Sequence, residues 1–165
     1  MAARGDLRDL KRVPILAADV APTQRILPGT EVIDGVPFVF DAVSGAETAD
    51  QLVIRLPEQG ILVAQDLVYH GTHVFVGHND IARWQEILLS CADPSYETIL
   101  PGHGLPAGQE VLKQMQAYLA VASDVLGTDG EAYKRTMLER FPELGAPFVI
   151  DIGNCYLFGA RPILE

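Results

Sequence analysis

The chain has 165 residues, 48% of them hydrophobic, with a net charge of −10 at neutral pH. That length and apolar content suit one domain with a substantial core. The charge argues against nucleic acid and anionic membrane as partners, since both present dense negative charge to a surface that would repel them. The two cysteines, Cys91 and Cys155, have no paired or metal-type spacing, so a reducing cytoplasm is the default compartment.

In chain order, residues 1–29 read as an arm, with one helical turn near Asp6 to Lys11 before Pro14, Pro22 and Pro28. The body is expected over 30–165. Glu31-Val32-Ile33, Asp34-Gly35 and Val36 to Phe40 give a hairpin signal, with Pro37 at an edge or strand start. Gln51 to Leu56 and Ile61 to Gln65 form a second hairpin around Pro57 to Gly60. Both strands are nearly all apolar and read as covered on both faces. Asn79 or Asp80 can cap a helix carrying Ile81, Trp84, Leu88 and Cys91 on one side. Glu97 to Leu100 is a short strand. A helix from near Pro106 then presents Val111, Met115, Tyr118, Leu119, Ala122 and Val125, and a third helix runs from an Asp129 cap to Arg140. Ala146 to Ile152 reads as a strand. The tally is about six or seven strands and three helices, an α+β pattern.

Chemistry-bearing residues gather at strand ends. Asp66 closes the apolar run Gly60 to Gln65, and His103 sits in Pro101-Gly102-His103-Gly104 after Thr98-Ile99-Leu100. Residues so placed are aimed off the sheet edge, where a metal or substrate can be reached. The plainer readings are a turn or helix cap for Asp66 and a backbone-bonded turn residue for His103. Glu47, in Ser44 to Asp50, has the plain reading of an exposed loop acid. His70, His73 and His78 follow Asp66; they read as solvated loop histidines, or, for His70 and His73, as substrate contacts. No G-x-S-x-G, phosphate-loop or dinucleotide motif is present.

Gly45 to Asp50, then Gly60 to Tyr69, then Thr98 to Gly104, taken in order, resemble the C-terminal half of a metallo-β-lactamase-fold hydrolase over roughly Thr30 to Val125. The resemblance implies half of an αββα sandwich: one mixed or antiparallel sheet covered by helices on one side. It also implies Glu47, Asp66 and His103 as ligands of zinc or another divalent metal, with Glu47 standing where a histidine is usual. The H-x-H-x-D-H loop that such hydrolases carry in their other half has no counterpart in these residues. The expectation is therefore a truncated relative of metal-dependent hydrolases with a partial site, whose activity would depend on the missing half-site being supplied. The alternative is a non-catalytic self-associating or ligand-binding half-domain. A bare apolar sheet face costs ~25 cal/mol per Å² left in water, so the expected partner is a second copy or a complementing chain.

Overall fold

A computed structural model describes residues 25–159. The expected helical turn near Asp6 to Lys11 lies outside them. Five strands form one sheet in sequential order: β1 (Gly29–Ile33), β2 (Val36–Gly45), β3 (Thr48–Leu56), β4 (Ile61–Tyr69) and β5 (Thr98–His103). The first four are antiparallel neighbours joined by short turns, and β5 joins β4 in parallel after the crossover helix α1 (Ile81–Cys91). The mixed sheet follows from connection length, since a parallel neighbour needs a long crossover and a hairpin does not. Pro37 falls at the second residue of β2, a strand start, where its missing N–H is tolerated.

Helix α2 (Glu110–Val125) and α1 cover one side of the sheet. Val53, Leu62, Ala64 and Ile99 from the strands meet Trp84, Leu88, Met115 and Leu119 from the helices in one buried cluster. Fully burying each large side chain contributes about 1.5–3 kcal/mol. The Trp84 indole N–H also donates to the Leu67 carbonyl at 2.9 Å, so its polar edge is satisfied inside the core. Helix α3 (Gly130–Arg140) starts at Asp129, whose carboxylate accepts from the Glu131 and Ala132 amides.

Several expectations need correction. The segment read as a strand, Ala146 to Ile152, contributes to helix α4 (Phe148–Phe158) instead. Its β-branched and aromatic run mimics a strand, yet Pro147 already holds φ −60°, suited to a helix start, and Gly159 closes the other end at φ +65°. What settles the conformation is tertiary: Ile150, Gly153 and Asn154 are buried at helical spacing, Asn154 donates to the Gly130 carbonyl, and Lys134 pairs with Asp151. The described residues therefore hold five strands and four α-helices, with a short 3-10 helix, Pro57–Gln59, between β3 and β4. The helix expected from Pro106 begins only at Glu110, because Ala107 first exchanges two backbone hydrogen bonds with Ile99.

The strands β3 and β4 are covered on one face only. Pairing places Ile54 opposite Phe40 and Val63, and Leu56 opposite Ile61, on the side away from α1 and α2, where all but Phe40 stay partly exposed. An uninterrupted apolar pattern had implied cover on both faces; this chain supplies it on one. No described helix is long and apolar enough to cross a membrane.

Candidate functional site

One turn and two strands deliver the site to one end of the sheet; Asp66, expected to close its strand, instead lies inside β4, which continues to Tyr69. Glu47 sits in the tight β2–β3 connection, Asp66 near the end of β4 and His103 at the end of β5. Two non-glycine residues just before the carboxylates adopt left-handed backbone, Ala46 at φ +84° and Gln65 at φ +49°. Such conformations persist only where surrounding structure enforces them, and here they sit beside side chains that carry chemistry. Pairing of β4 with β5 is irregular on both sides of Gln65, so β4 bends as it reaches Asp66.

The glycines around His103 are steric requirements. A methyl group at Gly102 would run into the Asp66 carboxylate and come within 2.8 Å of the Asp66 amide nitrogen. One at Gly104, already at φ +98°, would strike the His70 carbonyl. Pro101-Gly102-His103-Gly104 is thus the sequence that lets β5 lie close enough to β4 for Asp66 and His103 to meet.

They do meet: His103 Nε2 lies 3.4 Å from Asp66 Oδ1, both side chains about half exposed. Glu47 joins them through an intermediary. The Tyr69 hydroxyl donates to Glu47 Oε2 at 2.9 Å, while the Tyr69 ring stacks on His103 with centroids 4.5 Å apart. Burial, with the nearby Asp66 charge adding to it, raises the Glu47 carboxyl to about 7 despite the opposing hydrogen bond from Tyr69. Burial, and then the Glu47 charge, hold the Tyr69 phenol well above its ordinary value, so it stays a hydrogen-bond donor at any physiological pH.

This donor set does not fit the metal centre implied by the resemblance. Asp66 and His103 face each other as a pair, but the Glu47 oxygen is engaged by a neutral phenol that lies against His103. Among the described residues, no group of three His, Cys, Asp or Glu side chains is placed to hold a metal ion. A catalytic zinc ordinarily takes three protein ligands.

The histidines expected near the substrate part company. His70 is half-exposed, with Nδ1 2.8 Å from the Leu105 carbonyl, and it borders a cleft of about 370 Å³ shared with Tyr118, Phe141 and Glu143. His73 is fully buried, its Nδ1 3.2 Å from the Tyr118 hydroxyl. His78 stands beside Phe75 and Tyr156.

A second cleft, about 380 Å³, opens between the rim and α4, lined by Glu47, Tyr69, His103, Phe75, Phe148 and Tyr156 among others. Sequence reasoning missed Tyr69, Phe75 and Tyr156. Tyr69 closes the segment Gly60 to Tyr69 that carries the resemblance, but nothing in the sequence marked it with a role. The spacing of Phe148, Ile152 and Tyr156 at four-residue intervals was the available signal for the α4 wall, hidden by reading that segment as a strand.

No protein-family model matches the chain, and no curated protein is significantly similar to it in sequence. Solved structures are similar. The metallo-β-lactamase of Pontibacter korlensis superposes with a TM-score of 0.53 at 24% identity, covering 63% of this chain and 51% of that protein. The metallo-β-lactamase IND-7 gives 0.53 at 23% identity, covering 62% and 50%, and VMB-1 gives 0.51 at 25% identity, covering 61% and 48%. The chain thus spans about half the length of the structures it matches. At this identity the likeness speaks for architecture, and it agrees with the mixed sheet and one-sided helix layer: the chain is a partial metallo-β-lactamase-fold domain.

Proposed function

We propose that this chain is a ligand-binding half-domain on a metallo-hydrolase-like fold, without a self-sufficient hydrolytic centre. The observation that supports it is Tyr69. Its hydroxyl engages Glu47 and its ring lies on His103, which in turn faces Asp66, so the three expected ligands act as a polar rim beside an aromatic cleft. That cleft falls within the ~300–1,000 Å³ usual for small-molecule sites, with few polar groups in a mostly apolar lining.

Zinc titration by calorimetry tests this reading. The expected result is no stoichiometric site tighter than ~1 μM, and ester or phosphodiester hydrolysis at the background rate in both the native chain and His103→Ala. One equivalent of zinc retained through purification, together with turnover lost in His103→Ala, would overturn it.

A second reading, self-association, is favoured by a separate observation. Phe38, Leu52, Ile54, Leu56, Ile61, Val63 and Leu100 share the face away from the helices by register and are only partly buried. Five strands at about 4.8 Å spacing span roughly 19 Å, and β2 to β4 run about 30 Å at ~3.4 Å per residue, giving a face on the order of 600 Å², approaching the standard interface of about 800 Å² per partner. A second copy, laid sheet on sheet about a two-fold axis, would bury the same apolar surface on both sides. Light scattering across a concentration series should report a dimer; a monomer at all concentrations would remove this reading and leave a complementing polypeptide as the cover.

A further inference from the structure

The walls of the cleft beside α4 are unlike the rest of the molecule. Trp84, Tyr118 and Tyr133 are buried, but Phe148 and Tyr156 are 57% and 65% exposed, on the same side of α4 as Ile152. Phe75 and Tyr156 meet at 88° with centroids 5.3 Å apart, and His78 completes the corner at 6.0 and 5.9 Å from them. Tyr69 forms another wall, and the cleft's acidic lining residue is Glu47. Tyr69 occupies Glu47 Oε2; among the described residues, Oε1 has no protein donor.

Aromatic faces carry negative electrostatic potential, and several such faces around one space attract an organic cation more strongly than a neutral body of the same shape. Glu47 lines that space and supplies the counter-charge in its ionised form, which a bound cation favours. His103 also lines the cleft but faces the Asp66 carboxylate at 3.4 Å, so with Glu47 in the lining and a net charge of −10 on the chain the electrostatics favour a cation over an anion. We propose that this cleft binds a small organic cation carrying a quaternary or primary ammonium group, with Phe75, Phe148 and Tyr156 as walls and Glu47 as its polar anchor. The proposal rests on the ligand-binding reading above and names the ligand class.

The test compares choline chloride with 3,3-dimethylbutan-1-ol, its uncharged carbon isostere, by calorimetry or saturation-transfer NMR on the full chain. Choline should bind at least about tenfold more tightly than the isostere. Tyr156→Leu keeps apolar bulk at an exposed position and removes the ring. It should weaken choline about five- to tenfold, weaken the isostere by clearly less, so that the preference for choline shrinks, and preserve the thermal midpoint. Glu47→Gln should likewise lower the preference for choline. Equal binding of choline and isostere would overturn the cation assignment while leaving a small-molecule cleft in place. Binding of neither at tens of millimolar would overturn both the assignment and the reading beneath it.

Discussion

The two faces of the sheet are built from similar residues and meet different fates. On one, Val53, Leu62 and Ile99 reach essentially zero exposure against Trp84, Met115 and Leu119. On the other, Ile54, Val63 and Leu100, their immediate chain neighbours, stay partly exposed. Alternation along a strand sends successive side chains to opposite faces, so composition cannot distinguish the two sides; only a second layer does. The covered face carries the fold's stability, while the open face leaves its apolar side chains partly exposed.

The largest expected effect lies on the covered face. Trp84→Ala should destabilise the chain by about 3–5 kcal/mol, from lost burial and the cavity left behind, with the Leu67 carbonyl also losing its indole donor. Ile54→Ala should cost well under 1 kcal/mol if its face is open, because its surroundings are already partly solvated. Paired urea denaturation curves measure both, and equal losses at the two positions would erase the contrast between the faces.

Association is the next largest. Placing a carboxylate on the open face with Ile54→Asp should weaken a sheet-on-sheet dimer by at least about 2 kcal/mol, typical of a central apolar contact, with the far-ultraviolet circular dichroism spectrum unchanged. Sedimentation velocity reads the change in mass, and an unaltered dimer would place the interface elsewhere.

The covered side also contains a buried histidine. Burial lowers the His73 pKa below 6.5, and among the described residues its buried Nε2 has no hydrogen-bond partner. The unfolded chain therefore takes up a proton before the folded one. Folding stability is undiminished by this group above pH 6.5 and falls as pH drops toward the lowered folded value. The loss is at most about 1.4 kcal/mol per pH unit. Urea midpoints at pH 7.5 and 5.5 should differ more in the native chain than in His73→Leu; identical differences would exonerate His73.

The smallest effect tests the rim where the two faces end. Tyr69→Phe removes one hydrogen bond to Glu47 and should cost about 1 kcal/mol. If Tyr69 is what keeps Glu47 from joining Asp66 and His103, this variant should also bind zinc more tightly than the native chain by calorimetry. Unchanged zinc affinity would mean that the phenol is a bystander.

Much of this was legible from local pattern. The Asp34-Gly35 turn, the Pro57 to Gly60 connection, the Trp84 and Met115 helix faces and the Asp129 cap are short-range signals, each with a local physical cause. Convergence of Asp66 with His103 followed in part from strand order, because β4 and β5 are neighbours; Asp66 lies three residues before the end of β4, and it is the irregular pairing around Gln65 that brings it to His103. The α4 helix did not follow. Phe148-Val149-Ile150 favours a strand by propensity, and docking onto α3 through Asn154 and Asp151 reverses that preference. Tyr69 was hidden for another reason: its significance lies in a hydroxyl reaching Glu47 and a ring lying on His103, contacts that no spacing encodes.

By itself the sequence determined which segments alternate, turn and cap, and which residues with useful side chains stand at strand ends, because those properties arise within a few residues of chain. Tertiary structure alone decided which apolar face is covered, that the tail is a helix, and that a phenol stands between the carboxyl of Glu47 and the ring of His103. Each of those outcomes depends on groups distant in sequence competing for the same space, and only the assembled geometry resolves such competition.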